Sequence, residues 1–568
     1  MSSAEVMAGM SAAAPRRTAL PQLQLVLGCL AFGLVALVTA TPVLVVLFGA
    51  VKSNAWREVF LDSAVDRAAI GYSFLFALRA PIAALVGFLI AWSLIRVRLP
   101  GGRLLEFAMW VTFFIPLLPV TLSWILLLNP HYGLINRALM MMPFIHSPPF
   151  NINSISGILW VHITASSVPV MIIILAPAIR QLDASFEEVA RVCGSGPVAV
   201  FRRITLPILA PAILTGALAG YIKSLEAFEV EQLLGRPIGI FVYSTRIYDL
   251  ASWEPPNFKA AMALSSFMLV VLLVIAIIYQ RLTENVGHAT ILGRDANFRQ
   301  LSVGRFRWVI AAALFLVVAV SLFFPLFMLV CGSFMKLFGF FNIAAPFTTE
   351  HWRTVLGDPI FLSSLTNTLI LSTGAGLGGA LIYATLAYLL VRSQLPGRRI
   401  VDLLAWLPWC IPGILFGLSM LWLILASPAL SFLYGSIISL ILIMIVAQMP
   451  IGVQMMKVSI RQLAVELEQS SRICGAGPVR TFWSIVLPLI RPALVSIFLI
   501  VFISALRDIS TIIFLASAKS QTLSLLMMQF ATSSNLEASA VLGVITTAIV
   551  VVVALLARRF GLQVGVQR

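Results

Sequence analysis

Charge is what this chain has least of. Charged residues make up 11% of its 568 residues and hydrophobic residues 60%, whereas a soluble globular domain carries about 25% charge. That scarcity excludes a water-soluble fold, because an aqueous core could not hide so much apolar surface. Cysteine is scarce as well. Cys29, Cys193, Cys331, Cys410 and Cys474 form an odd set without CxxC spacing, so they read as small buried residues rather than a disulfide framework or a metal cluster. The histidines, His131, His146, His162, His288 and His351, show no metal-ligand spacing, and only His162 falls inside an apolar segment. No Gly-x-x-x-x-Gly-Lys-Ser/Thr loop occurs, so the chain is not expected to hydrolyse ATP itself. Gly374-Ala-Gly376-Leu-Gly-Gly379 formally matches a dinucleotide fingerprint, but it lies in an apolar run with no strand before it and reads as close helix packing. No cofactor is therefore expected. No short cleavable signal peptide is expected either: residues 1–22 read as a polar Ala/Ser-rich arm with Arg16 and Arg17, and the apolar run after it is long enough to span.

What the chain does have is long apolar runs. About twenty mostly apolar residues cross a bilayer as a helix, and such runs recur from end to end. Twelve spans are expected, at residues 23–51, 69–95, 105–129, 155–179, 208–232, 259–281, 307–334, 365–391, 402–426, 434–458, 489–515 and 538–557. The net charge of +16 points to the membrane and not to nucleic acid, because the basic residues cluster in short loops between apolar segments. Arg96, Arg98 and Arg103, Arg202 and Arg203, Arg294, Arg299 and Arg305, Arg398 and Arg399, and Arg558 and Arg559 all fall on one side if both termini are cytoplasmic. The opposite orientation violates the positive-inside rule in nearly every short loop.

The chain is internally duplicated. The segment from Arg180-Gln-Leu to Leu206-Pro207 returns from Arg461-Gln-Leu to Leu487-Pro488, about 281 residues later. Leu99-Pro-Gly-Gly-Arg103 returns as Leu395-Pro-Gly-Arg-Arg399, about 296 residues later. Each half then holds six spans in the same orientation. The expected organisation is an N-terminal arm at 1–22, a first transmembrane domain at 23–282, a linker at 283–306, a second transmembrane domain at 307–558 and a tail at 559–568.

The repeated loop is polar and lies between the fourth and fifth spans of each half. Ser185 followed by Glu188 has capping-box spacing, so a short helix is expected to start there. Phe186, Val189, Ala190 and Cys193 would form its apolar stripe, and Gly194 and Gly196 can end it. Pro197 suits the first turn of a second short helix, with Val198, Phe201 and Ile204 on its apolar side. A bent helix pair standing off the membrane is suited to docking.

These residues resemble a family. Glu188-Val-Ala190-Arg-Val-Cys-Gly194, followed by Ile204-Thr-Leu-Pro207, is similar to the EAA loop of type I ABC importer permeases. In the second half Gln469 stands at the Glu position, with Glu468 matching Glu187, while Gly475, Ile485, Leu487 and Pro488 fit. The resemblance implies an all-α membrane fold of two tandem six-helix repeats. It also implies a coupling helix in each loop, two copies of an ABC ATPase subunit seated on the loops, and a periplasmic substrate-binding protein. Location in a bacterial inner membrane goes with this. Within the family the chain is similar to fused ferric-iron-type permeases, through Ser224-Leu-Glu-Ala-Phe-Glu229, Tyr243-Ser-Thr-Arg-Ile-Tyr248, Leu506-Arg-Asp-Ile-Ser-Thr511 and Asn535-Leu-Glu-Ala538. Related fused permeases carry thiamine, phosphonates or other small ligands. The alternative is an ion-coupled secondary transporter, since such carriers also duplicate six spans; that fold has no reason to repeat a docking loop. A membrane-embedded enzyme would need a convergent set of His, Asp or Ser inside the spans, and none is evident.

Ionisable residues inside spans are costly and mark cavities or partners. Lys223, Glu226, Glu229 and Glu231 fall late in the fifth span, and Arg507 and Asp508 late in the eleventh. Glu226 and Arg507 are repeat mates of opposite sign. They are expected to meet near a pseudo-two-fold axis as a gate, with Glu229 and Asp508 flanking them. Arg79 is expected to snorkel to the interface.

Overall fold

In lipid, an apolar run satisfies every backbone N–H and C=O only by closing them within a helix or a barrel. The computed structural model describes residues 20–53, 55–286, 300–301, 303–393 and 397–559 and is helical throughout; among these residues the extended pairings are two isolated bridges, Val97 with Leu301 and Met335 with Phe347. The expected N-terminal arm to residue 19, the linker residues 287–299 and the tail from residue 560 lie outside the described residues.

The first half comprises α1 (Leu20–Ser53), α2 (Ala64–Arg96), α3 (Gly102–Phe114), α4 (Leu117–Leu128), α5 (Ile155–Gln181), α6 (Ala184–Val192), α7 (Pro197–Leu225), α8 (Tyr243–Ser252) and α9 (Phe258–Val286). The second half repeats the order as α10 (Phe306–Phe334), α11 (Pro359–Arg392), α12 (Arg398–Trp409), α13 (Gly413–Ala426), α14 (Ile437–Arg461), α15 (Val465–Ile473), α16 (Pro478–Leu489), α17 (Arg491–Arg507), α18 (Leu523–Thr532) and α19 (Leu536–Arg559). Eight helices are long and apolar enough to cross a membrane, and three bent pairs bring the number to eleven among the described residues. The remaining expected span, 23–51, lies within the 34-residue α1. The chain is an all-α multi-pass membrane protein built of two tandem six-helix repeats.

Three expected spans are not straight. Residues 105–129 divide into α3 and α4, which meet at 103°, and 402–426 divide into α12 and α13, which meet at 111°. The cause is the same in both halves. Pro116 and Pro412 lack an N–H and force the residue before them out of the helical region; Ile115 has ψ 133° and Ile411 ψ 116°. The eleventh span bends by 77° between α16 and α17 and its helix stops at Arg507, short of the expected 515. The fifth span likewise ends at Leu225 and not at 232.

The halves interlock. α1 packs on α9 of its own half and on α12 and α13 of the other, while α10 packs on α3 and α4. The duplication extends to single hydrogen bonds. Ser73 Oγ accepts from Tyr243 N at 2.8 Å at the start of α8, and Thr368 Oγ1 accepts from Leu523 N at 2.8 Å at the start of α18.

The glycine-rich run in α11 serves close packing. A Cβ at Gly374 would lie 2.8 Å from Ile441 of α14, and one at Gly376 would lie 2.8 Å from Phe498 of α17. Gly376→Leu is therefore expected to lower the thermal midpoint of the protein in nanodiscs by an amount corresponding to about 1–3 kcal/mol of overpacking. Gly71→Leu, where nothing lies within 4 Å, should leave it unchanged; equal midpoints for the two variants would contradict close packing at Gly376.

Candidate functional site: the duplicated loops and the opposite helix ends

Each repeated loop is a short helix, a left-handed glycine and a second helix. α6 ends at Cys193, and Gly194 has φ +84°; α15 ends at Cys474, and Gly475 has φ +83°. A positive φ is strained for any residue with a Cβ and open to glycine. Both ends close the same way. Ser195 N donates to Ala190 O and Gly194 N to Arg191 O, each at 2.9 Å, while Ala476 N donates to Ser471 O at 3.1 Å and Gly475 N to Arg472 O at 3.0 Å. This pair of bonds defines a Schellman cap. Pro197 and Pro478 then head the second helices, which continue through Pro207 and Pro488 toward the fifth and eleventh spans. The expected Ser185–Glu188 capping box is not what starts α6. Asp183 is the N-cap, accepting from Ser185 N at 2.9 Å, because its carboxylate reaches the free N–H two residues on.

Inside each loop sits a buried ion pair that joins it to the second span of its half. Glu187 is 2% exposed and its Oε2 lies 2.7 Å from Arg96 Nη2, at the end of α2. The Thr205 hydroxyl donates to Glu187 Oε1 at 2.8 Å, and Arg96 Nη1 donates to Leu182 O at 3.1 Å. In the second half Glu468 is 3% exposed, with Oε1 2.7 Å from Arg392 Nε at the end of α11 and Oε2 accepting from the Tyr388 hydroxyl at 3.1 Å. Arg392 Nη2 donates to Leu463 O at 2.8 Å. Arg96 and Arg392 are repeat mates by the same offset that relates the Leu-Pro-Gly loops. Glu187 and Glu468 thus face inward, whereas Glu188 and Gln469 are exposed. A second repeated brace lies beside the first: Glu106 pairs with Arg180, and its mate Asp402 pairs with Lys457 at 2.6 Å. On the first half only, residues 300–301 at the end of the expected linker join the clamp. Leu301 N donates to Arg96 O at 2.6 Å and Arg98 N to Leu301 O at 3.0 Å.

The outer surface of each loop is apolar. Val192 is 88% exposed and its mate Ile473 86%; Val198 is 70% exposed and its mate Val479 65%. Phe186 and Leu467, also mates, are exposed as well. Phe186, Val189 and Cys193 of the expected apolar stripe lie on this exposed surface.

At the far ends of α7 and α17 the expected gate residues are gathered but not paired as expected. Glu226 caps the end of α7 and binds Lys223 Nζ at 2.9 Å; Arg507 ends α17 and donates from Nη1 to Phe113 O at 2.8 Å. Glu226 and Arg507 form no ion pair. The mates diverge because each finds a nearer partner, one on its own helix and the other on the opposite half. Asp508 Oδ1 and Oδ2 accept from Thr511 N and Oγ1, both at 2.9 Å, and Glu229 lies within electrostatic reach of Arg507 and Asp508. Among the described residues no three His, Cys, Asp or Glu side chains are grouped to hold a metal ion.

Sequence reasoning missed a buried cluster in the first half. His162 Nε2 lies 2.7 Å from Glu231 Oε1, and both are buried. Arg79 is 3% exposed and donates to Phe76 O at 2.9 Å and Ser224 O at 3.1 Å, so it does not snorkel; it is held at the C-terminus of α7. The mates of His162 and Glu231 are Ile443 and Ile512, and Arg79 aligns with Gly374 or Ala375. That one-sided substitution of charge for apolar residues was the available signal.

Comparison with known proteins gives the class of this chain. It belongs to the family of binding-protein-dependent transport system inner membrane components, whose model matches twice, at residues 83–288 and 376–564. The ferric transport system permease protein FbpB of Actinobacillus pleuropneumoniae is 27% identical over 62% of this chain and 50% of its own length. A probable ABC transporter permease, y4fN of Sinorhizobium fredii, is 26% identical over 72% of each chain. The probable sulfate transport system permease cysT of Marchantia polymorpha is 26% identical over 44% of this chain and 85% of its own. The chain spans about half the length of two of the ferric relatives it matches, 50% and 55%.

The clamp and an exposed carboxylate should separate experimentally. Glu187→Gln leaves Arg96 buried without a counter-charge and should cost about 3–5 kcal/mol, read as a lower thermal midpoint in nanodiscs. Glu466→Gln, at an exposed carboxylate of the other loop, should leave that midpoint within about 0.5 kcal/mol of the original. Equal midpoints in the two variants would refute the clamp.

Proposed function

We propose that this chain is a permease subunit forming the translocation pathway of an ATP-driven importer, with residues 23–282 and 307–558 as its two permease domains. The single observation that carries the reading is the pair of loops, each clamped from within by Arg96–Glu187 or Arg392–Glu468 and each presenting a bare apolar tip. One loop per half calls for two ATPase subunits, with Val192 and Ile473 as the knobs seated in their grooves. Glu188, Ala190, Gly194, Pro207, Gln469, Gly475 and Pro488 shape those knobs. ATP hydrolysis then belongs to the partner subunits. The basic loops support a cytoplasmic side for both termini, and a periplasmic binding protein would deliver cargo to the opposite face, at the proposed gate residues Glu226, Glu229, Arg507 and Asp508. Ferric iron is the first candidate cargo, because two relatives that each match 62% of the chain are named for it.

The mechanism is alternating access between the halves. Closure of the ATPase dimer draws the two loops together. Each buried clamp passes that movement to α2 or α11, so the halves rotate and the pathway opens outward. Hydrolysis releases the loops and resets it inward.

The test is a pull-down of the co-expressed ATPase subunit with uptake measured in the same cells. Val192→Asp combined with Ile473→Asp should abolish capture and uptake while the permease still inserts. Gly194→Val, whose Cβ meets nothing within 4 Å but whose φ is positive, should retain capture and lower uptake about tenfold, as strain of about 1–2 kcal/mol implies. Full uptake in the double variant sinks the reading.

A further inference from the structure

The far ends of α7 and α17 are where the halves exchange contacts, and the exchange is reciprocal. Lys223, in the last turn of α7, places Nζ 4.3 Å from the centroid of the Trp409 ring at the end of α12 in the other half. Arg507, at the end of α17, places its guanidinium carbon 5.5 Å from the Phe113 ring at the end of α3 in the first half. Its bond to Phe113 O, 2.8 Å long, also satisfies one of the last carbonyls of α3, which the break at Pro116 leaves without a helical partner.

Phe113 and Trp409 are repeat mates, about 296 residues apart, and each stands just before a proline break. The cations are not mates. Arg507 aligns with Glu226, and Lys223 aligns with Ser504, one helical turn away. The two halves therefore reach the same crossed arrangement from different positions, which a contact inherited passively from the duplication would not do. The neighbourhood agrees. Phe113 and Trp110 pack against a cluster that joins Phe114 to Phe502, Leu506 and Val550 of the second half, and Tyr248 and Phe514 bring their rings to 5.8 Å across the same boundary.

We propose that Lys223–Trp409 and Arg507–Phe113 form a crossed latch that holds the two halves together at this end and sets the threshold the ATPase subunits must overcome to open the pathway. The proposal rests on the permease reading above. Separation of the halves draws each cation off its ring and removes the Arg507 bond from the Phe113 carbonyl. Because both rings sit at breaks, rotation of α3 against α4, or of α12 against α13, moves the ring without unwinding a helix. Glu226, bonded to Lys223, fixes that cation over Trp409 and is a positioning residue.

The experiment uses the permease purified with its ATPase subunits in nanodiscs, with ATP hydrolysis read in the absence of binding protein. Lys223→Met and Trp409→Leu should each raise basal hydrolysis about fivefold, which is about 1 kcal/mol at 1.4 kcal/mol per decade. The double variant should rise no further than either alone, and Trp409→Phe should stay near the original rate. Lys223→Met with Arg507→Met, which releases both crossings, should exceed either single change. A short bis-maleimide should cross-link Lys223→Cys to Trp409→Cys when added without nucleotide, and should fail to do so when ATP is trapped before the reagent is added. Independent, multiplying effects of Lys223→Met and Trp409→Leu, or a cross-link that forms equally well after ATP is trapped, would overturn the latch. Failure of the unmodified permease to bind its ATPase or change its hydrolysis would instead overturn the permease reading.

Discussion

An arginine and a carboxylate buried together at the base of each loop constrain everything else in this protein. Taking such a pair out of water costs several kcal/mol per ion, and the cost is recovered only with good geometry and full hydrogen bonding. Both carboxylates meet that demand, each bonded through both of its oxygens. Arg96 is fully buried and bonded to Glu187 and Leu182 O, and Arg392 to Glu468 and Leu463 O. A loop pinned in this way cannot tilt alone. α2 packs along α5 and α7, and α11 packs along α14 and α17, so each loop and three spans of its half form one mechanical block. Glycines at the helix crossings keep the blocks tight, Gly376 against Phe498 being the clearest case.

The duplication has been kept at one end of the molecule and given up at the other. Near the loops, charges occupy matching places even where residue types differ: Glu106 and Asp402 are mates, although their partners Arg180 and Lys457 lie one helical turn apart in the repeat register. At the far end the first half carries the buried His162–Glu231 pair and Arg79, where the second half has Ile443, Ile512 and glycine or alanine. Two loops that engage equivalent partners favour retained symmetry. On the importer reading proposed above, the far face would meet a single partner or cargo, with no such demand on its symmetry.

Much of this was legible in the amino-acid order. Apolar runs gave the spans, since helix is the conformation lipid allows, and a local signal gave the positive φ at Gly194 and Gly475. The breaks at Pro116 and Pro412 were readable in principle, because proline's effect on the preceding residue is local; hydropathy alone passes over them. The clamps were not readable. Arg96 and Glu187 are 91 residues apart, and nothing local tells an inward-facing Glu187 from an exposed Glu188 one position on. The meeting of Glu226 with Arg507 failed for a related reason. The repeat register correctly placed both at the ends of equivalent helices, but it could not show that Glu226 would close on Lys223, one turn back on its own helix, or that the carbonyl of Phe113 was open to Arg507.

That failure explains the chemistry at the boundary between the halves. A direct Glu226–Arg507 pair in a partly dry interface would cost about 3–5 kcal/mol to break, and a pathway that cycles would meet that cost at every opening. Cation–aromatic contacts are worth about 0.5–2 kcal/mol each. Glu226 instead stays with Lys223 on its own helix, and Asp508 with Thr511 on its own loop. The strong polar bonds of both carboxylates thus lie within halves, while cations over rings and one arginine–carbonyl bond span them. Strong pairs are also found within each half at the loops, where movement must be transmitted without loss. Interactions that must hold together are buried and ionic, and interactions that must part are weaker and multiple.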